Sequence, residues 1–179
     1  MNIRPATTAD AALIAELHAA SWRVAYRNVL KDAYLDGDIL SERVALWNER
    51  MYAPDEGQHI LIAESDGEAV GFTCVYVDHD AEWGNFVDNL HVRQAHWRAG
   101  IGAALMVETA RLCRAHARSR GMYLWVLESN DRARRFYERM GAAIDGHELW
   151  HPPDGSELPA LRCVWRDVDS LLPRANTTG

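Results

Sequence analysis

The sequence predicts an α/β (α+β) fold with a mixed, mostly antiparallel sheet, and three features along its 179 residues carry that expectation. Asp66-Gly67 between the β-rich runs HILIAES and EAVGFTCVYVD is a strong hairpin signal. From NFVDNLHV, residues 85–92, the order is strand, glycine-containing turn, helix, and then the apolar strand MYLWVL from Met122. A helical crossover of that kind makes the two strands a locally parallel pair buried on both faces. HELWHPPDGSELPALRCVW then reads as a second hairpin with a long Pro-Pro-Asp-Gly turn.

Taken in order, residues 2–4 form a short strand, and Thr8 caps a first helix whose apolar positions Ala12, Leu13, Ile14, Leu17, Ala20 and Trp22 roughly follow a helical period. A second helix spans residues 41–51. Trp22, Tyr26, Trp47 and Tyr52 lie in and around these helices, interleaved with Arg23, Arg27, Asp36, Asp38 and Glu42. Either these aromatics pack the helices onto the sheet, or some of them, Trp22 and Tyr26 first, line a pocket for an acceptor molecule. Residues 78–83 form a polar loop. His79 between Asp78 and Asp80 reads as a solvated turn rather than a metal site, because adjacent ligands on one loop lack a partner cluster. His147 and His151 sit on a strand and before prolines, so helical ligand spacing does not apply and no metal is assigned.

The helix after the glycine turn covers about residues 100–118, and SNDRARRFYERMG forms the next one. Asn130 is its N-cap, Asp131 suits the positive helix start, and Gly141 suits the residue just past the end. Ala133, Phe136, Tyr137 and Met140 fall at i, i+3, i+4 and i+7, which leaves Arg132, Arg134, Arg135, Glu138 and Arg139 on the wetter faces. Tyr137 therefore points inward or toward a cleft. A buried phenol needs a partner, so it is either a core tyrosine bonded to a backbone carbonyl or a group that serves the cleft.

These elements fit one domain over residues 1–170, with a flexible tail over 171–179. Hydrophobic content of 48% and charged content of 25% are ordinary for a globular protein. The formal net charge of -7 argues against wrapping nucleic acid and leans toward cationic small-molecule partners. Cys74, Cys113 and Cys163 are widely spaced in apolar contexts and read as buried thiols, neither a disulfide framework nor a zinc pattern. No leader pattern and no stretch of about 18 apolar residues is present, so a cytoplasmic protein without membrane partners is expected. Asn176-Thr177-Thr178 matches a glycosylation acceptor by chance.

LHVRQAHWRAGIGAALM places Gly100 and Gly102 at a helix start, where backbone N–H groups lack intrahelical partners and the dipole favours an anion. Glycine is costly inside a helix, so two in its first turn need a reason. One reason is close approach of a phosphate or pyrophosphate to bare backbone; the other is close packing of the helix on the sheet. A Rossmann fingerprint is excluded by the missing third glycine, and a P-loop by the absence of Gly-Lys-Ser/Thr.

The succession NLHV, loop, GIG at a helix start, YLWVL and NDRARRFYERMG resembles the GNAT superfamily, the acyl-CoA-dependent N-acetyltransferases. In order of elements the resemblance runs over residues 2–168, with sharp motif agreement over 89–141. The family's second signature is matched at Val126, Leu127, Asn130, Arg132, Ala133, Phe136, Tyr137 and Gly141. The first signature, Gln/Arg-x-x-Gly-x-Gly/Ala, is matched only in part. Trp97 stands where the family usually has Gln or Arg, Arg98 where it often has Gly, and Ala99 follows. The main-chain amides can still cradle a pyrophosphate, and Arg98 is the residue expected to supply the lost positive charge.

The resemblance implies a GNAT-like six- to seven-stranded sheet with helices on both faces and a central splayed parallel pair. It also implies acetyl-CoA as cosubstrate, no metal, and an acceptor that is a primary amine of a small molecule or peptide. Direct attack would pass through a tetrahedral intermediate and release a thiolate. The pyrophosphate would lie on the turn made by Trp97, Arg98, Ala99, Gly100, Ile101, Gly102 and Ala103. The pantetheine would run beside Leu90, His91 and Val92, with Asn130, Ala133 and Phe136 across from it. Tyr137 would protonate the leaving thiolate. The amine also has to lose a proton, for which Asp88, Glu82 and His91 are candidates. Strand alternation puts Asp88 on one face with Leu90 and Val92, and Asn89 with His91 on the other; His91 also reads as a satisfied sheet histidine. Transfer of a different acyl group and a non-catalytic acyl-CoA-binding module are the alternatives. A homodimer paired through sheet edges or C-terminal strands is compatible with the family.

Overall fold

Two hairpins and one crossover build the sheet of the computed structural model, which describes residues 1–173. Strands β1 (Asn2–Pro5), β2 (Gln58–Ser65), β3 (Glu68–Asp80), β4 (Gly84–Val92), β5 (Met122–Leu127), β6 (Ala143–Trp150) and β7 (Leu158–Trp165) form one seven-stranded sheet in the order β1-β2-β3-β4-β5-β7-β6. All neighbours are antiparallel except β4 and β5. The β2–β3 turn has Asp66 at φ 53° and Gly67 at φ 81°, the two positive angles that make Asp-Gly a hairpin pair.

Helices cover both faces. On one, α1 (Ala11–Ala25) and α3 (Ile39–Tyr52) bury Ile14, Ala15, Leu17 and Trp47 against Ile62, Phe72 and Cys74. On the other, α4 (Ile101–His116) places Met106, Ala110 and Cys113 against Met122, Leu124 and Trp165, and α5 (Asp131–Arg139) adds Tyr137. The short α2 (Asp32–Leu35) buries Leu35 under Trp22 and Ile39. The three cysteines are all buried free thiols.

Several sequence expectations are corrected. Thr8 does not cap α1. Thr7 precedes a 3₁₀ turn, Thr8–Asp10, and both its amide and its hydroxyl donate to Asp10 Oδ2, at 2.8 and 3.0 Å. The inward face of α1 is Ala11, Ile14, Ala15, His18, Ala19 and Trp22 with Leu17, while Ala12 and Ala20 are exposed. The polar loop expected over residues 78–83 is shorter, because β3 continues to Asp80. There the Asp78 carboxylate accepts from the Arg118 and Ser119 amides, and His79 Nδ1 lies 2.9 Å from the Tyr123 hydroxyl. A tail does not begin at residue 171, since Leu171 ends a 3₁₀ turn, Val168–Leu171, and is buried in the same core as Cys113 and Trp165. Asn176 and its neighbours lie outside the described residues.

The pairing of β4 with β5 positions the site. It consists of two registered pairs, Asn85 with Met122 and Phe86 with Tyr123, after which the strands part. Fully buried Asn85 staples this apex: its amide group donates to Ser119 O (3.2 Å) and Gly121 O (2.6 Å), and its Oδ1 accepts from Asp78 N–H (3.0 Å). Gly84, at φ 83°, lets the chains meet here, because a Cβ would fall 2.5 Å from Gly121 O. A second irregularity lies beyond the apex. Cys74 faces Asn89 but Val75 faces Val87, so Asp88 is an extra residue in β4, a β-bulge. Simple alternation therefore fails at Asp88, which turns toward α3 together with Asn89 instead of siding with Leu90 and Val92.

Replacing Asn85 by Ala leaves Ser119 O and the Asp78 amide without this partner and removes one of the two donors to Gly121 O, which keeps the Asn85 N–H. Urea unfolding of Asn85→Ala should show a loss of about 2–4 kcal/mol with an unchanged m-value. A loss under about 0.5 kcal/mol would mean that the apex is held by something else.

Candidate functional site

Where β4 and β5 separate, a cleft of about 420 Å³ opens between them, walled by α1 and α3 on one side and α5 on the other, with β6 residues at its rim. Beyond Phe86, β4 has no β5 partner, so the strand edge facing the cleft presents free backbone groups next to Leu90 and Val92. Leu90, His91, Val92, Trp97, Asn130, Ala133 and Tyr137 line it, as do Trp22, Tyr26 and Asp88.

One end is cationic, and the start of α4 adjoins it behind Val92 with a row of backbone donors. Gly100, at φ 80°, is the N-cap of α4, and Ala104 is the first residue to donate back, to Gly100 O at 3.0 Å. The amides of Ile101, Gly102 and Ala103 precede that bond and have no intrahelical acceptor. A Cβ at Gly100 would meet nothing within 4 Å, whereas one at Gly102 would lie 3.4 Å from the Phe136 ring. Gly100 thus serves backbone conformation beside open space, and Gly102 serves packing on α5. Ile101 is 4% exposed, so only its backbone is available. Arg98, at φ 68°, and Ala99 are exposed, and like residues 100–103 they are not part of the cleft lining. The cation that reaches the cleft is Arg132, with its guanidinium 3.2 Å from the Trp97 ring centroid, and burial lowers its pKa. Trp97 is fixed beneath it by an indole N–H that donates to Val92 O at 2.8 Å. Arg132 is exposed, as its place on a wetter face predicts, and its side chain also lines the cleft.

In the middle stands Tyr137, 9% exposed and edge-on to Phe136 and Trp165. Burial, with Cys163 and Tyr26 nearby, pushes its pKa up and keeps the phenol protonated. Its position follows from α5, whose N-cap Asn130 accepts the Ala133 amide at 3.1 Å and sets the helix phase.

The other end is aromatic and polar. Trp22, Tyr26 and Trp150 meet with ring centroids 5.2–5.8 Å apart. The β6–β7 loop is fastened over them, because Asp154 accepts the Lys31 amide at 2.8 Å and the Lys31 ammonium donates to Asp154 O at 2.7 Å. Arg50 donates to Asp88 Oδ2 (2.5 Å) and Asn89 Oδ1 (3.2 Å). His91 Nδ1 lies 2.8 Å from Ser21 Oγ, and its ring is 4.8 Å from that of His18, whose Nδ1 accepts from Trp47 Nε1. Glu82 is not part of this site. It sits in the β3–β4 turn, where its amide donates to Asp80, beside Trp83 and Arg166.

The sequence reading missed His18, Ser21, Arg43, Arg50, Glu148 and Trp150, all of which line the cleft. For α3 a signal existed: Arg43, Trp47 and Arg50 stand at i, i+4 and i+7, on one face.

Burial lowers the pKa of His91 to about 4, with Arg43 adding to it, and holds that of His18 well below its usual value. The unfolded chain protonates these rings near pH 6.5, so stability that is full above that value is lost as the pH falls toward about 4. Urea midpoints at pH 7 and 5 should differ, and His91→Gln should reduce the difference. An NMR titration should leave the His91 ring neutral at pH 5.

Comparison with known proteins identifies the family and the fold. The family model described as the acetyltransferase (GNAT) family matches residues 17–142. A curated relative from Mycobacterium tuberculosis, named "Probable N-acetyltransferase Rv2775", is 34% identical over 163 residues, covering 89% of this chain and 90% of its own. Among solved structures, a GCN5-related N-acetyltransferase from Rhodopseudomonas palustris superposes with a TM-score of 0.72 at 20% identity, covering 91% and 93% of the two chains. The PaiA N-acetyltransferase of Thermoplasma acidophilum, solved with coenzyme A, gives 0.65 at 20% identity over 89% and 96%.

Proposed function

The chain belongs to the GNAT acetyltransferase family, and from that premise we propose that its cleft transfers an acetyl group from acetyl-CoA to a primary amine by direct attack. The observation that carries this reading is the order of three features: Arg132 at one end of the cleft with the donor-rich start of α4 adjoining it behind Val92, the open edge of β4, and the Tyr137 phenol.

The chain's own groups fit the cosubstrate. The unpaired amides of Ile101, Gly102 and Ala103, together with the α4 dipole and Arg132, suit a pyrophosphate. The apolar edge at Leu90 and Val92 suits a pantetheine arm, whose amides can bond the free backbone of β4 as an added strand would. A β4 backbone N–H directed at the acetyl carbonyl would stabilise the oxyanion by on the order of 3 kcal/mol. The amine nitrogen bonds to the carbonyl carbon, and the C–S bond breaks. The thiolate takes the proton of Tyr137, which solvent then restores. A phenol held protonated by burial is suited to that task. The amine's own proton passes to Asp88, directly or through water, while Arg50 keeps that carboxylate in place.

Tyr137→Phe should lower CoA-thiol release by about 10² to 10⁴ while calorimetric affinity for acetyl-CoA stays within about threefold. Arg132→Gln should weaken acetyl-CoA binding about tenfold or more, with a shallower salt dependence than wild type. Binding of acetyl-CoA without thiol release from any amine would instead identify an acyl-CoA-binding module.

A further inference from the structure

The acceptor end of the cleft holds two arginines from α3, and they are not equally matched. Arg50 is paired with Asp88 and Asn89. Arg43 is 9% exposed, and its buried Nε has no hydrogen-bond partner among the described residues. The carboxylate beside it, Glu42, stands 3.6 Å from Nη2 and is nearly half exposed. The same Glu42 oxygen accepts the Tyr34 hydroxyl at 2.7 Å, so it offers Arg43 a weak, wet contact only. The Arg43 guanidinium lies 4.6 Å from the Trp22 ring centroid, which supports its face, and Arg43 is one of the residues that line the cleft.

A desolvated guanidinium with an unmatched donor calls for a planar anion, which it can grip through two parallel N–H bonds. We propose that Arg43 is a specificity-determining residue that binds a carboxylate on the acceptor, so that the acceptor is an amino-acid-like small molecule and not a polycation. The proposal rests on the acetyl-transfer reading for the fate of the amine, but the anion site stands on the geometry of Arg43 itself. Asp88 then faces the ammonium, and Trp22, Tyr26 and Trp150 provide the apolar wall for a side chain. Glu148, the other carboxylate lining the cleft, stands on β6 near Arg162. The net charge of -7 pointed the opposite way, toward cationic acceptors, but it sums groups over the whole chain and does not describe this pocket.

The test compares amines that differ only in the anion: amino acids with aliphatic, aromatic and acidic side chains, each against its carboxamide and its decarboxylated amine. Wild type should favour the best amino acid by about 10² in kcat/KM over its counterparts that lack the carboxylate. Arg43→Gln should lose that preference through KM with kcat within a few-fold, and Arg43→Lys should retain part of it. In parallel, N-acetyl amino acids and their amides are titrated calorimetrically into the CoA-loaded protein, which reads the anion site without turnover. Arg43-dependent binding of the acids alone, with no thiol release from any amine, would sink the transfer reading and keep the anion site. Equal or better use of the amides or decarboxylated amines, or binding of the N-acetyl acids no tighter than their amides, overturns the proposal. Should Arg43→Gln fail to fold, Arg43→Lys and the wild-type substrate ratios decide.

Discussion

The cleft exists because β4 and β5 are joined at only two residue pairs and Asn85 holds that junction shut from inside. A parallel pair that continued its register would satisfy both strand edges and leave no space between them. Here the strands are pinned at one end and free at the other, so the sheet splits into a wedge with bare backbone on its β4 side. Everything chemical on the chain is arranged with respect to that wedge. The crossover helix α4 presents its N-terminus near the open end, α5 lays a phenol across the middle, and α1 with α3 closes the opposite wall.

Charge is distributed along this wedge without regard to the sign of the whole molecule. An acidic chain presents Arg132 at one end of the cleft and Arg43 and Arg50 at the other. Each cation is seated on an aromatic ring: Arg132 on Trp97, Arg43 on Trp22, and Arg50 near Trp47. Indole faces tolerate a desolvated guanidinium where an aliphatic wall would not, which gives several of the seven tryptophans a use beyond filling volume. Trp97 shows the consequence best. It lacks the hydrogen-bonding group that Gln or Arg would bring to its position in the family pattern, yet it fixes a charge borrowed from α5.

Features encoded by neighbours in sequence were legible beforehand. Asp66-Gly67 carries its own positive φ angles, Asn130 its own cap, and α4 its own dipole, so the hairpin, the α5 register and the helix start followed from local rules. What local rules could not give was pairing. The bulge at Asp88 is a mismatch of register between β3 and β4, invisible in either strand alone, and it reversed the side on which Asp88 was expected. The insertion of β7 between β5 and β6 brought Trp150 and Glu148 to the cleft rim from a segment whose sequence speaks only of a hairpin. Glu82 looked eligible from its place just before β4, but the turn carries it to Trp83 and Arg166. Arg43 was spaced correctly for a shared face with Trp47, and only three-dimensional packing shows that its Nε is left without a partner among the described residues.

The three cysteines give the molecule an internal reporter. Cys74 is buried in the layer between the sheet and α1 with α3, whereas Cys113 and Cys163 are buried in the layer under α4 and α5. Burial pushes each thiol up to about 12, so at neutral pH none is a nucleophile while the fold is closed. Alkylation can then proceed only through opening of the layer that holds the cysteine. The order in which the three sites acquire label records which wall of the cleft loosens first and how tightly the two halves of the sheet are coupled.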